Sequence, residues 1–170
     1  MFLLQMAGFP GSGKSTLAKE ISKHIDDVVV IDRDVIKSSM IESGVDLSII
    51  NDASYKLAFE LCSYYLSINK SVIIDTPCFF EATLENGIEI AQKCGAKYKY
   101  IECRIEDFDE VSNRLRNRQS SVSQFKSAEI ERFLAALDKS RKPTNYECIT
   151  VDSSAPIDLY IDNVLDYLNI

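Results

Sequence analysis

The 170 residues are 46% hydrophobic and 26% charged, ordinary proportions for one globular domain that can bury roughly 70% of the surface its unfolded chain exposes. A net charge of −7 removes the basic footprint on which nucleic-acid binders rely, although it does not forbid such binding. Cys62, Cys78, Cys94, Cys103 and Cys148 are odd in number and lack any C-x-x-C spacing, which argues against zinc or disulfide frameworks and for reduced thiols. No apolar run approaches membrane-spanning length, and no basic n-region precedes the first apolar residues. A cytoplasmic protein with no membrane partner is therefore expected.

In chain order, the first apolar run is FLLQMA from Phe2, which reads as a strand. It leads at once into GFPGSGKST, Gly8 to Thr16. Gly8, four residues, then Gly13-Lys14-Ser15 is the spacing of a phosphate-binding loop. Such a loop aims several backbone N–H groups and the positive end of the next helix at one point. Gly11 and Gly13 permit backbone conformations and close approaches that a Cβ would block. Lys14 supplies a point charge for the β- and γ-phosphates, and Ser15 offers a hydroxyl to Mg2+. A simple strand-to-helix turn would also use glycine and serine. It would not need every fixed position, nor the helical spacing of Leu17, Ala18 and Ile21 that follows. Gly11, Ser12, Gly13, Lys14, Ser15 and Thr16 are the candidate nucleotide contacts.

Further strand-like runs follow: VVVI at Val28, SVIID at Ser71, YKYIEC at Tyr98 and ECITV at Glu147. Between them lie segments of helical period, namely ASYKLAFELCSYYL, EATLENGIEIAQKC and, at the end, PIDLYIDNVLDYL. Strands alternating with helices predict βαβ units around a parallel sheet, and continuous apolar runs suit strands covered on both faces. In such a sheet ligands bind beyond the carboxyl ends of the strands. Acids stand at two of those ends, DRD at Asp32 and DTP at Asp75. Asp75 reads as the carboxylate that holds Mg2+, directly or through water, with a turn aspartate as the alternative. Asp34 is placed to take a proton from an attacking hydroxyl. Asp32 supports the loop or the metal's outer shell, unless DRD is only a capped helix start. Lys37, one turn after Asp34, could steady a substrate or phosphate.

Arg114, Arg116 and Arg118 end an amphipathic stretch, and Arg114 and Arg118 share one helix face. The polar QSSVSQ beyond them has no strong period, as expected of a lid around residues 117–128. Arginines delivered by a closing lid stabilise charge that develops on a transferring phosphoryl group. Arg118 is the first candidate for that work, while Arg116 reads as a cation favoured by the helix dipole.

The ordered set GFPGSGKSTLAKE, IDRDVIKSSM, VIIDTP, GAKYKYIECRI and RLRNR spans nearly the whole chain. It resembles the small P-loop kinases of the zeta-toxin-like group, AAA-family ATP-binding kinases. Their relatives are the kinase domain of polynucleotide 5′-hydroxyl kinases, the chloramphenicol phosphotransferases and the gluconate-type kinases. The resemblance implies a three-layer α/β P-loop fold with a five-stranded parallel sheet and a small lid, in a single domain over 1–170. It implies ATP and Mg2+ as cofactors, Lys14 and Ser15 on phosphate and metal, Asp34 as base and Arg118 as the lid arginine. Lys37 stands where polynucleotide kinases use arginine. Adenine would lie between Arg114, Arg118 and the loop VDSSAP.

After its metal-binding acid a polynucleotide kinase carries asparagine and then arginines that handle the acceptor. This chain has TPCFFEATLEN, with neither Arg nor Lys, so Thr76, Cys78, Phe79 and Phe80 would present an apolar wall. Plain packing of the two phenylalanines is the competing reading. Zeta toxins proper are longer, which argues against a toxin. Three functions follow from these residues. The leading one is ATP- and Mg2+-dependent transfer of a phosphoryl group to a hydroxyl of a small, partly apolar molecule, with Lys14, Asp34 and Arg118 catalytic. A 5′-hydroxyl oligonucleotide kinase is the second, and a nucleotide-dependent binding module without phosphotransfer is the third.

Overall fold

The computed structural model describes residues 1–118, 122–124, 129–138 and 141–169. Its strands are β1 (Phe2–Ala7), β2 (Val28–Asp32), β3 (Ser71–Asp75), β4 (Lys97–Arg104) and β5 (Cys148–Asp152). The helices are α1 (Lys14–Ser22), α2 (Arg33–Glu42), α3 (Ile50–Ser67), α4 (Glu81–Lys93), α5 (Phe108–Asn117), α6 (Ile130–Asp138) and α7 (Ile161–Leu168). All strand pairs are parallel, in the order β2-β3-β1-β4-β5. The expected five-stranded parallel α/β sheet is present.

β1 is buried at all six positions because helices cover both faces of the sheet. Its side chains divide by the strand period of two. Leu3 and Ala7 join Val72, Ile74 and Tyr100 beneath Ala58, Phe59 and Cys62 of α3 and Leu84 of α4. Leu4 and Met6 join Ile73 and Ile101 beneath Leu17 and Ile21 of α1 and Val164 and Leu168 of α7. Three layers result. A smaller apolar cluster of Ile105, Val111, Leu115 and Phe133, with Phe9 against it, lies beyond the strand ends and carries α5 and α6.

Three details position the site. Met6 and Asp32 are both in register with Asp75, so the loop after β1 and the acids of β2 and β3 emerge side by side. Asp32 ends β2 and caps α2, accepting from the N–H of Asp34 at 2.9 Å and of Val35 at 3.4 Å. Gln5, fully buried in β1, donates to the Thr83 carbonyl at 2.9 Å and accepts from the Tyr98 hydroxyl at 2.6 Å. That bond ties the start of α4 to the central strand. Of the lid expected around 117–128, residues 119–121 and 125–128 lie outside the described residues. Nor does the sequence periodicity separate α6 from the stretch before it.

The junction between β1 and the loop tolerates no side chain at Gly8. Its φ is +134°, and a Cβ there would come within 2.3 Å of the Cys103 carbonyl oxygen and 2.5 Å of Ser12 Oγ. Gly8→Ala must push β1 and β4 apart. It is expected to lower stability in urea unfolding by about 2 kcal/mol or more.

Candidate active site

Gly11 and Gly13 both hold φ of +89°, and Gly13 caps α1 without any side-chain hydrogen bond. The first turn of α1 therefore offers its N–H groups to an anion rather than to a cap. Lys14 is 8% exposed, and its Nζ donates to the Phe9 carbonyl at 3.1 Å, a bond inside the loop. A Cβ on Gly11 would sit 3.1 Å from Leu115 Cγ, so α5 packs against the loop at this glycine.

A cleft of 780 Å³ opens over this loop. It gathers Gly11, Gly13, Lys14, Ser15 and Thr16 with Asp32, Asp34, Lys37, Asp75, Thr76, Arg114 and Arg118. Three sequence-based candidates lie elsewhere, and a fourth is tied up at the edge. Ser12 does not line the cleft: its N–H donates to the Phe9 carbonyl at 3.0 Å and its buried Oγ faces inward without a partner. Phe79 and Phe80 line a second, neighbouring cavity. Arg114 lines the cleft but forms an ion pair with Glu110, one turn earlier on α5. Arg116 is exposed and bonds Asn113.

The acids differ in surroundings. Asp75 is 6% exposed, and burial raises its carboxyl above the ordinary value, with Asp32 and Asp34 adding to the rise. Lys14 and a hydrogen bond from Ser15 oppose it. Asp34 stands in the first turn of α2, where its Oδ2 accepts from Gln124 Nε2 at 3.1 Å and its carbonyl accepts from Ser123 Oγ at 2.9 Å. Ser123 also bonds Ser38 of α2 at 2.8 Å, so the described residues 122–124 lie along that helix. Arg118 caps the end of α5, where burial lowers the pKa of its guanidinium and Asp34 acts against that fall. Ser153, Ala155, Ile157 and Tyr160, beyond β5, close the opposite wall of the cleft from α2.

Mg2+ fits this donor set. Among the described residues no group of three or more His, Cys, Asp or Glu could hold a metal by itself. One buried carboxylate with a hydroxyl beside it matches Mg2+, which takes its remaining ligands from water and substrate phosphates.

A family model described as an AAA domain matches residues 3–140. The chain belongs to this AAA-domain family. The comparison with curated proteins finds no match. Among solved structures, an unliganded sugar kinase from Janibacter sp. HTCC2649 superposes with a TM-score of 0.70 at 14% identity, over 100% of this chain and 95% of that one. A gluconokinase from Sinorhizobium meliloti 1021 gives 0.65 at 15% identity, over 99% and 91%. The Mycobacterium tuberculosis APS kinase CysC in complex with AMPPNP and APS gives 0.63 at 16% identity, over 99% and 98%. This AAA-domain chain thus has the fold of P-loop kinases. Among its described residues no helix is long and apolar enough to cross a membrane.

Sequence reasoning did not find Arg33. This residue lines both cavities, is 7% exposed, stacks on the Tyr55 ring at 3.8 Å and donates to Asn51 Oδ1 at 3.3 Å. Its one signal was a second cation, Lys37, four residues on along the same helix face. Thr76 lines the cleft while Phe79 and Phe80 line the second cavity, and Arg33 and Lys37 of α2 line both.

The buried Asp75 charge costs the nucleotide-free fold stability. Asp75→Asn is therefore expected to be more stable than the parent protein by about 1 kcal/mol when no nucleotide is present, and so to melt at a higher temperature, as when a destabilised functional site is relaxed. Calorimetric melting of the two proteins at neutral pH checks this.

Proposed function

We propose that this AAA-domain protein is an ATP- and Mg2+-dependent phosphotransferase that moves the γ-phosphoryl group of ATP to an alcohol hydroxyl of a small molecule. The observation that carries the reading is the junction of two cavities. The cleft over the phosphate-binding loop adjoins a second cavity of 950 Å³, and both are lined by Pro10, Arg33, Lys37 and Pro77, with Asp34 beside the junction. The sugar kinase, gluconokinase and APS kinase with which it shares its fold favour a small acceptor over an oligonucleotide. Within the AAA-domain family, the order of its motifs favours the zeta-toxin-like group of kinases.

The open N–H groups of the loop and Lys14 bind the β- and γ-phosphates. Ser15 and Asp75 hold Mg2+, which when bound neutralises charge on the phosphate oxygens. Arg114 and the loop around Ser153 flank the adenine. The acceptor oxygen forms a bond to the γ-phosphorus as the bond from that phosphorus to the bridging oxygen breaks. ADP leaves with the electron pair, and the hydroxyl proton passes to the Asp34 carboxylate. Arg118 stabilises the charge that develops on the transferring group. Gln124 and Ser123, part of the lid read around 117–128, orient Asp34 and cover it from solvent.

ADP production from Mg-ATP, measured against nucleosides, 5′-hydroxyl oligonucleotides, sugars and hydroxylated antibiotics, tests this reading. An acceptor is expected to raise turnover. Asp34→Asn is expected to lower kcat by about 10²–10⁴-fold while ATP still binds. ATP binding with no acceptor response, and no difference between the two proteins, would leave a nucleotide-dependent binding module instead.

A further inference from the structure

The second cavity is walled on one side by Tyr55 and Phe59 of α3 and on the other by Phe79 and Phe80 before α4, with Phe80 63% exposed. Its floor carries charge. Arg33 is a buried cation at the first residue of α2, where the positive end of the helix disfavours it. Asp32 and Asp34 flank it in sequence, yet among the described residues Arg33 forms no ion pair. Asn51 Oδ1 at 3.3 Å is its one hydrogen-bond partner there, and its Nε is buried without any. A buried guanidinium left this short of partners costs stability. Stacking of the guanidinium on the Tyr55 ring offsets part of that cost, and the buried Nε still has no partner.

Lys37 lies one turn further along the same helix and lines the same two cavities. Burial lowers its pKa, the Arg33 charge adds to the fall and Asp34 opposes it. The remaining charges of the cavity limit what these two cations can hold. Glu129 and Arg132 pair with each other at 2.9 Å and cancel. Exposed Asp52 also lines the cavity, and Asp34 acts on Lys37 from the junction, so the charges nearly balance and Arg33 is the buried cation without an ion pair among the described residues. A polyanion is poorly matched to that balance, and a single carboxylate matches it well.

We propose that the second cavity receives the phosphoryl acceptor by one carboxylate, bound by Arg33 with Lys37 beside it, while an apolar or aromatic body lies against Tyr55, Phe79 and Phe80. The acceptor class is then hydroxy acids with an apolar frame. That this ligand is phosphorylated rests on the phosphotransfer reading; the carboxylate site does not. Arginine suits the task because its planar fork matches a carboxylate in two hydrogen bonds, which Lys37 alone cannot supply. The hydroxyl end would then reach toward Asp34 across the junction at Pro10 and Pro77.

Equilibrium binding to the whole protein, loaded with Mg2+ and a non-hydrolysable ATP analogue, tests the site directly. The probes are hydroxymethylbenzoates, hydroxyphenylpropionates and medium-chain hydroxy acids, each beside its primary amide. The protein is expected to bind at least one acid about tenfold or more tightly than its amide. In Arg33→Gln that preference should vanish, and in Arg33→Lys it should be kept in part. Melting curves of both variants verify that they fold. Equal binding of acids and amides, no binding of any acid, or a preference that survives in Arg33→Gln would overturn the inference. So would a loss of affinity for the ATP analogue as large as that for the acid, since Arg33 would then serve the nucleotide. ADP production with the same probes is read separately. An acid preference without turnover keeps the carboxylate site and removes the phosphotransferase.

Discussion

A carboxylate buried at the end of β3 is the constraint on which the rest of this molecule turns. Moving such a group out of water carries an effective penalty of several kcal/mol, about what a buried ion pair must recover. Asp75 recovers part of it from Lys14 and from the Ser15 hydroxyl, both contributed by the loop and helix that follow β1. The recovery is incomplete, because its carboxyl remains above the ordinary value. Asp32 and Asp34 close by add to that unrecovered cost. Asp75 and Ser15 would hold a divalent cation, whose charge would offset it.

The sheet order makes that corner possible. β1 sits between β3 and β4, and the loop leaves it beside Asp75 because Met6 and Asp75 are in register. The same register pairs Asp32 with Asp75, so the first turn of α2 starts at the edge of the cleft and carries Arg33, Asp34 and Lys37 around it. The small cluster of Phe9, Leu115 and Phe133 then fixes α5 and α6 over the loop, which brings Arg114 and Arg118 to the opposite rim. One arrangement of strands therefore sets both the nucleotide cleft and the cavity adjoining it.

The parts legible in the sequence are those whose chemistry is local. Gly8 to Thr16 declare a loop and a helix start by spacing alone, and Asp32, Asp34 and Asp75 stand directly after apolar runs, where a parallel sheet puts its ligands. Ser12 shows the limit of that reasoning. The motif includes it, but the close packing of the loop against β4 turns its hydroxyl inward, and no neighbour in sequence announces that. Arg33 was hidden for a related reason. Its partners Asn51 and Tyr55 come from α3, and the cavity it floors is walled by Phe79 and Phe80, more than forty residues further on. α6 likewise draws its role from Phe133 meeting Phe9 and Phe108 across the fold.

The most direct test of the role of the buried Asp75 is thermal unfolding of the protein with ATP in the presence of Mg2+, with ATP in EDTA, and with Mg2+ alone. A ligand that binds only the folded form raises the unfolding temperature, and more so the further its concentration exceeds its Kd. If Asp75 and Ser15 hold a metal that accompanies the nucleotide, Mg-ATP should stabilise the protein well beyond either partner alone. Asp75→Asn should erase most of the difference between Mg-ATP and ATP in EDTA. Equal stabilisation by ATP with and without Mg2+, or none in either case, would contradict the assignment of this corner to a metal-bound nucleotide.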